Sequence, residues 1–134
     1  MRPTVEFLKR NFDEFNRLMF DGQLPELPIA VGNARRSLGG LHFVKVRKMF
    51  GAVEYRNFHI RISAGFDLDE SEIEDVLIHE MIHYYILYNK VEDTSPHGKV
   101  FRKMMKDINA HFGRNISVSY KRENLKNEVK EDRK

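Results

Sequence analysis

The most constraining feature of this chain is the segment from Val76 to Tyr85, which contains the pattern His79-Glu80-x-x-His83. The segment predicts a helix, in which residues i and i+4 lie on one face, about 40° apart. Both imidazoles can therefore reach one metal ion, with Glu80 beside them as a base for a metal-bound water. Zinc is the metal expected at a motif of this kind.

The helix that carries the motif is apolar around its whole circumference. Its apolar residues are Ile73, Val76, Leu77, Ile78, Met81, Ile82, Ile86 and Leu87. Such a helix is normally buried, and an unpaired polar group in a buried position costs about 2–7 kcal/mol. Two histidines and a glutamate therefore need a partner, which a metal ion supplies. The alternative interpretation is a pair of core histidines hydrogen-bonded to backbone groups.

A third ligand is expected because catalytic zinc usually has three protein ligands and one open position. His97 is the predicted ligand, since a helical wheel places it on the apolar side of the last helix. The connection before that helix, about seven residues long, spans at most about 25 Å and can return alongside the motif. The carboxylates Glu92 and Asp107 are alternative ligands, and the alternative role of His97 is to cap its own helix.

Composition bounds the class of protein. The 134 residues are enough for one domain with a real core, and 41% apolar with 32% charged residues is ordinary for a soluble protein. No apolar run approaches the roughly 20 residues of a membrane span, and the first residues lack the apolar region of a secretory signal. We therefore expect a cytoplasmic protein. Because cysteine is absent, any metal must be bound by His, Asp or Glu.

Three helices are predicted from apolar periodicity and capping residues. The first begins at Thr4, its N-cap. The second carries the motif and begins near Ser71, whose spacing to Glu74 is typical of a capping box. The third begins with Ser95 as N-cap before a proline and ends at Gly113.

A small sheet is predicted between the first two helices. Residues 29–31, 41–47 and 58–63 are rich in strand-forming residues, and the last of these segments alternates apolar and polar side chains. Residues 37–40 are predicted to form a turn or bulge, and residues 48–57 a connection with short pairing. The predicted fold class is α+β, with three main helices packed on a small, mostly antiparallel sheet.

Positive charge is concentrated in the middle of the chain. Residues 30–66 hold seven basic side chains against Glu54 alone, a net charge of +6, whereas the whole chain carries +3. The basic residues are Arg35, Arg36, Lys45, Arg47, Lys48, Arg56 and Arg61. Such a segment can neutralise phosphates, which predicts weak, non-specific DNA binding through residues 35–61. The alternatives are a solvated face and the attraction of acidic polypeptide substrates.

Four short segments within residues 5–112 form a recognisable set. The segments are Phe20-Asp21-Gly22-Gln23-Leu24-Pro25, Arg36-Ser37-Leu38-Gly39, His79-Glu80-Met81-Ile82-His83 and His97-Gly98-Lys99-Val100-Phe101. In content and order they resemble the SprT-like family of zinc metalloproteases.

The resemblance implies a role for each residue of the motif. His79, His83 and His97 would be zinc ligands, and Glu80 would be the general base. The family also implies a zincin-like fold, in which a sheet edge above the metal helix holds an extended substrate.

Residues 1–116 would form the metalloprotease core. Residues 117–134 would form a charged tail, in which Val118 could add one short strand. Many family members continue into a cysteine-bearing zinc ribbon, and this chain has no cysteine.

The resulting functional prediction is a zinc-dependent metallopeptidase of protein substrates, acting through a zinc-bound water with Glu80 as general base. Extended polypeptides are the expected substrates, and DNA-associated proteins are one class of them. The alternative is a zinc-stabilised module that binds nucleic acid or protein with little or no turnover. Candidates for stabilising the oxyanion are Tyr55, Arg61, Tyr84 and Tyr85, each of which also has a simpler role in packing or surface charge.

Overall fold

The structure is a computed structural model that describes residues 1–119. It contains three α-helices, three β-strands and one short 3-10 turn at Met49–Gly51. In chain order the main elements are α1 (Val5–Met19), β1 (Ile29–Gly32), β2 (Gly39–Arg47), β3 (Val53–Ser63), α2 (Glu70–Tyr88) and α3 (Lys99–Phe112). The predicted α+β class is confirmed. No helix in residues 1–119 is long and apolar enough to cross a bilayer.

The three strands form one mixed sheet in the order β1-β3-β2. The hairpin of β2 and β3 is antiparallel, as predicted, and it is the longer of the two pairings. β1 pairs with β3 in parallel, from Ile29 opposite Ile60 to Gly32 opposite Ser63. Because β3 is central, β1 and β2 each keep one edge outside the sheet.

The start of β2 differs from the prediction. Gly39 and Gly40 belong to the strand, opposite Ile62 and Arg61, and do not form a turn. A Cβ atom at Gly39 would lie 2.9 Å from the side chain of Val76. The glycine therefore allows the beginning of β2 to pack directly against α2.

β3 is also longer than predicted, since it begins at Val53 within the segment expected to be a connection. Two of its residues, Asn57 and Phe58, lie opposite the single residue Phe43 of β2. This is a β-bulge, and Asn57 adopts a left-handed conformation with φ of 57°. The extra residue reverses the alternation of side chains, so Tyr55 faces the same side of the sheet as Phe58.

Local hydrogen bonds place the helix ends. Thr4 caps α1 as predicted, accepting a hydrogen bond from the N–H of Phe7. The capping box of α2 uses Asp69 and Glu72, two residues before the predicted pair, so that prediction was wrong. Either pair has the required spacing of three residues, so spacing alone did not distinguish them.

The last helix starts later than predicted. Residues 95–97 form a turn, and α3 begins at Lys99 after Gly98, so Ser95 is not its N-cap. Gly113 ends the helix in a left-handed conformation, as predicted. Val118 lies in a bend and not in a strand, and residues 120–134 of the predicted tail lie outside the described residues.

Helix α2 is the centre of the molecule and packs against β2, β3, α1 and α3. Leu77, Ile78, Met81 and Ile82 are completely buried. The prediction of a buried helix is therefore confirmed. The polar residues of the motif are held in the middle of an apolar core.

An arginine after α3 holds the N-terminal half of α2. The guanidinium of Arg114 donates to Asp75 at 2.7 Å and to Glu74 at 3.2 Å, and also to the carbonyl of Ser71 at 3.1 Å. The side chain of Asp75 is only 7% exposed, and Arg114 also stacks over the ring of Phe15 at 5.6 Å. Three segments distant in sequence meet at this charge network.

We expect Arg114→Met to lower the free energy of unfolding by about 3 kcal/mol, because it leaves the buried carboxylate of Asp75 without its cation. Urea denaturation measures this change. The control is Arg17→Met, which breaks a pair with Glu14 whose arginine is 67% exposed and should cost less than about 1 kcal/mol. An equal decrease in the free energy of unfolding in the two variants would contradict the role assigned to Arg114.

Candidate metal centre

Three histidine side chains from two separate segments converge at one point. The Nε2 atoms of His79 and His83 lie 3.2 Å apart, those of His83 and His97 3.1 Å, and those of His79 and His97 3.2 Å. His79 is buried, and the other two are half-buried. The structure thus brings together the three histidines that the sequence predicted as ligands.

The geometry determines which nitrogen of His79 carries a proton. Its Nδ1 atom lies 2.9 Å from the carbonyl oxygen of Ser117. Because a carbonyl oxygen can only accept, Nδ1 donates and the neutral ring presents the lone pair of Nε2 to the other histidines. A hydrogen bond of this kind commonly orients a metal-binding histidine.

Burial favours the neutral form of all three rings. It lowers the pKa of His79 to about 4, although the hydrogen bond to Ser117 opposes the change. Burial, together with the neighbouring rings, lowers the pKa of His83 to about 3. Burial and the charge of Arg102 also lower the pKa of His97. Neutral imidazole is the form that binds metal ions.

This arrangement fits a metal ion. Tetrahedral zinc with Zn–N distances of 2.0–2.1 Å requires nitrogen atoms about 3.3 Å apart, close to the observed 3.1–3.2 Å. Hydrogen bonds among three neutral rings cannot account for all three contacts, since Nε2 of His79 has no proton to donate. The ring of Phe101, which is fully buried, packs against all three imidazoles at 4.6–4.9 Å between centroids and closes one side of the site.

Glu80 is buried next to the histidines, with 6% of its surface exposed. Its carboxylate has no hydrogen bond or ion pair with any residue in 1–119. Burial raises its pKa to about 7, where a carboxyl group can both accept and donate a proton near neutral pH. An unpaired buried carboxylate is costly for folding, so its presence points to a chemical role.

The position of His97 depends on the loop before α3. The carboxylate of Asp93 accepts hydrogen bonds from the N–H groups of Thr94, Val100 and Phe101 at 2.7–3.1 Å. A Cβ atom at Gly98 would lie 2.3 Å from this carboxylate, so the loop can close only around glycine. Neither alternative ligand joins the histidine cluster. Glu92 lines the cleft beside it, and Asp107 is paired with Lys103 on the surface.

A cleft of about 840 Å³ opens beside Glu80 and His83. Its wall opposite α2 is apolar and comes from the β2–β3 hairpin, through Leu41, Phe43, Val53 and Tyr55. A smaller cavity of about 240 Å³ includes Glu80 and His79. Glu80 therefore faces both cavities.

The sequence profile of the SprT-like family matches residues 8–122. That range covers most of the chain and includes all three histidines and Glu80. The chain belongs to the SprT-like family. Searches of curated proteins and of solved structures gave no significant match.

Of the four oxyanion candidates in this SprT-like chain, only Tyr55 lines the cleft. Tyr84 is buried and donates to the carbonyl of Pro25 at 3.1 Å, and Tyr85 packs on Phe20. Arg61 is paired with Gly40 in the sheet, and its side chain lies on the face that points away from the cleft. On that face His42 and His59 also stack, with ring centroids 4.9 Å apart.

The sequence did not predict the residues that support His79. The side chain of Asn109 donates to the carbonyl of Ile116 at 2.9 Å and accepts from its N–H at 2.8 Å. These two bonds hold the chain where the carbonyl of Ser117 meets His79. No local pattern identifies Asn109 or Ser117, because Ser117 contacts His79 through its backbone carbonyl and Asn109 binds the backbone of the segment that follows α3.

We expect Asn109→Ala to weaken zinc binding by about tenfold, the lower end of the range for losing an outer-shell partner. The matched control is Asn16→Ala. The side chain of Asn16 forms the same pair of hydrogen bonds, to the carbonyl and the N–H of Leu24, away from the metal centre. Both variants should lose stability, but only Asn109→Ala should change zinc affinity in a competition titration. Equal zinc affinities in the two variants would contradict this role.

Proposed function

We propose that this chain is a zinc-dependent metallopeptidase that hydrolyses peptide bonds of protein substrates. The observation that carries the proposal is the buried carboxylate of Glu80, which has no hydrogen bond or ion pair within residues 1–119 and lies next to His79 in the chain, one of the three histidines whose Nε2 atoms converge. A site that only stabilises the fold needs no base next to its ligands. This carboxylate is the specific reason to favour an enzyme over a zinc-stabilised binding module.

In the proposed mechanism His79, His83 and His97 would hold zinc, a set of three protein ligands that is typical of a catalytic site. Bound zinc would polarise the scissile carbonyl and increase the acidity of the attacking water. Glu80 accepts a proton from that water and returns it to the leaving amine. Its pKa of about 7 suits both transfers near neutral pH.

The substrate is proposed to bind as an extended strand. β2 is an edge strand, and its residues Leu41 and Phe43 line the cleft next to Glu80. A peptide added to this edge would form backbone hydrogen bonds and pass over the metal centre. This is the arrangement that the zincin-like resemblance implies.

Weak, non-specific DNA binding through residues 35–61 is a separate proposal, supported by the charge of this segment. The strand register divides that charge between the two faces of the sheet. Lys45 lies opposite Tyr55 on the side of the cleft, whereas Lys48 and Arg56 pair with Glu54. Such binding should have a Kd no tighter than about 10⁻⁴–10⁻⁶ M and should weaken steeply with salt.

Metal analysis combined with a cleavage assay tests the proposed function. We expect about one zinc per chain and cleavage of an unfolded polypeptide that a chelator abolishes and added zinc restores. The assay is run with and without DNA, in case binding of DNA increases turnover. Zinc-loaded protein that cleaves nothing across a broad peptide library under both conditions would favour the binding module.

A further inference from the structure

The smaller cavity beside the metal centre has a different chemical character from the cleft. It lies toward the N-terminal end of α2, where Val76, His79 and Glu80 form its floor. The opposite wall is the segment 36–39 that leads into β2, and Val118 and Ser119 close one end. An extended chain on the edge of β2 would leave the apolar cleft, pass Glu80 and reach this cavity.

Arg36 is the one cationic side chain among the described residues that line this cavity. It is exposed, and its guanidinium forms no hydrogen bond or ion pair with residues 1–119. Ser37 and Ser119 line the same space. A guanidinium matches the two oxygen atoms of a carboxylate, and charge-assisted hydrogen bonds of this kind are the strong ones.

We propose that this cavity is a subsite for a carboxylate of the substrate polypeptide, held by Arg36. The proposal rests on the peptidase function proposed above and specifies its substrate class. On one side of the scissile bond a carboxylate binds at Arg36. On the other side an apolar or aromatic side chain binds in the cleft, against the wall that contains Phe43 and Tyr55. The carboxylate comes either from an Asp or Glu side chain or from the C-terminus of the peptide.

The first test measures cleavage of peptides that differ in one charge. Peptides with a fixed aromatic residue carry Asp or Asn at each neighbouring position in turn, all with amidated C-termini. We expect kcat/KM to be about tenfold higher with Asp at one position, since a hydrogen bond to a charged group is worth a factor of this size or more. A peptide that ends at that position with a free carboxylate distinguishes the C-terminus from a side chain as the source.

Variants of Arg36 then test whether this residue causes the preference for Asp over Asn. Arg36→Gln should bring the Asp/Asn ratio of kcat/KM close to one, and Arg36→Glu should bring it below one, because the introduced carboxylate repels Asp. Arg10→Gln, at an exposed position on α1, should keep the ratio of the wild-type protein. A ratio that is unchanged in Arg36→Gln would overturn the proposal, whether or not both rates fall together.

A binding assay separates failure of this subsite from failure of the peptidase proposal. Zinc-loaded Glu80→Gln protein is titrated into fluorescent Asp and Asn peptides, and the anisotropy reports their affinities. Tighter binding of the Asp peptide, lost in the double variant with Arg36→Gln, supports the subsite even if no cleavage is found. Equal affinities for the two peptides, or no binding of either, overturn it.

Discussion

Replacing Glu80 by glutamine should abolish peptide cleavage while zinc remains bound. The substitution is nearly isosteric and removes only the carboxylate that is proposed to accept and return the proton. General acid–base catalysis typically contributes a factor of 10²–10⁴, so we expect kcat to fall by about that amount. Metal analysis of the purified variant should still give one zinc per chain, because the three imidazole nitrogens are unchanged.

The matched control is Glu92→Gln, which removes a carboxylate that lines the same cleft outside the histidine cluster. Its kcat should stay within a few-fold of the wild-type value. If Glu80→Gln retained full activity, Glu80 would not be the base. If it lost zinc together with activity, the loss of cleavage would say nothing about proton transfer.

The second large effect is expected from removing a histidine of the metal centre. His97→Ala should weaken zinc binding by more than 100-fold, since loss of an outer-shell partner alone costs about 10–100-fold. In the proposed site zinc would join α2 to the loop before α3, so its binding would also contribute to the free energy of folding. At a free concentration 1,000 times its Kd, zinc stabilises the fold by about 4 kcal/mol.

Thermal denaturation with and without a chelator measures this linkage. The wild-type protein should melt at a lower temperature after zinc is removed, whereas the melting temperature of His97→Ala should hardly respond. Glu92→Ala is the comparison, because Glu92 was the alternative ligand from the same loop. Full zinc affinity in His97→Ala, together with its loss in Glu92→Ala, would show that the third ligand was assigned wrongly.

The relative positions of His79, Glu80 and His83 could be predicted because they depend on one helix. A periodicity of 3.6 residues places i and i+4 on one face whatever surrounds the helix. The same argument placed His97 on the apolar side of the last helix. The helix itself begins at Lys99, two residues after His97. An error in a helix boundary did not remove His97 from the site, because the turn at residues 95–97 keeps it beside α2.

Several features of the sheet could not be predicted. The parallel pairing of β1 with β3 joins residues about thirty positions apart, such as Ile29 and Ile60, and no local pattern specifies it. The bulge at Asn57 brings Tyr55 to the cleft, but a strict alternation of side chains would have placed it on the other face. The predicted turn at Gly39 failed because its glycine serves packing against Val76.

By itself the sequence determined the α+β class, the buried motif helix and the three histidines as a group. Each of these follows from spacing within a helix, from the absence of cysteine or from the resemblance to a family. Only the tertiary structure showed the carbonyl of Ser117 on His79, the two cavities that Glu80 faces and the presence of Arg36 in the wall of the smaller one. The physical reason is that each of these features brings together segments distant in the chain, and the contact with His79 is made by a backbone carbonyl, a group that every residue possesses.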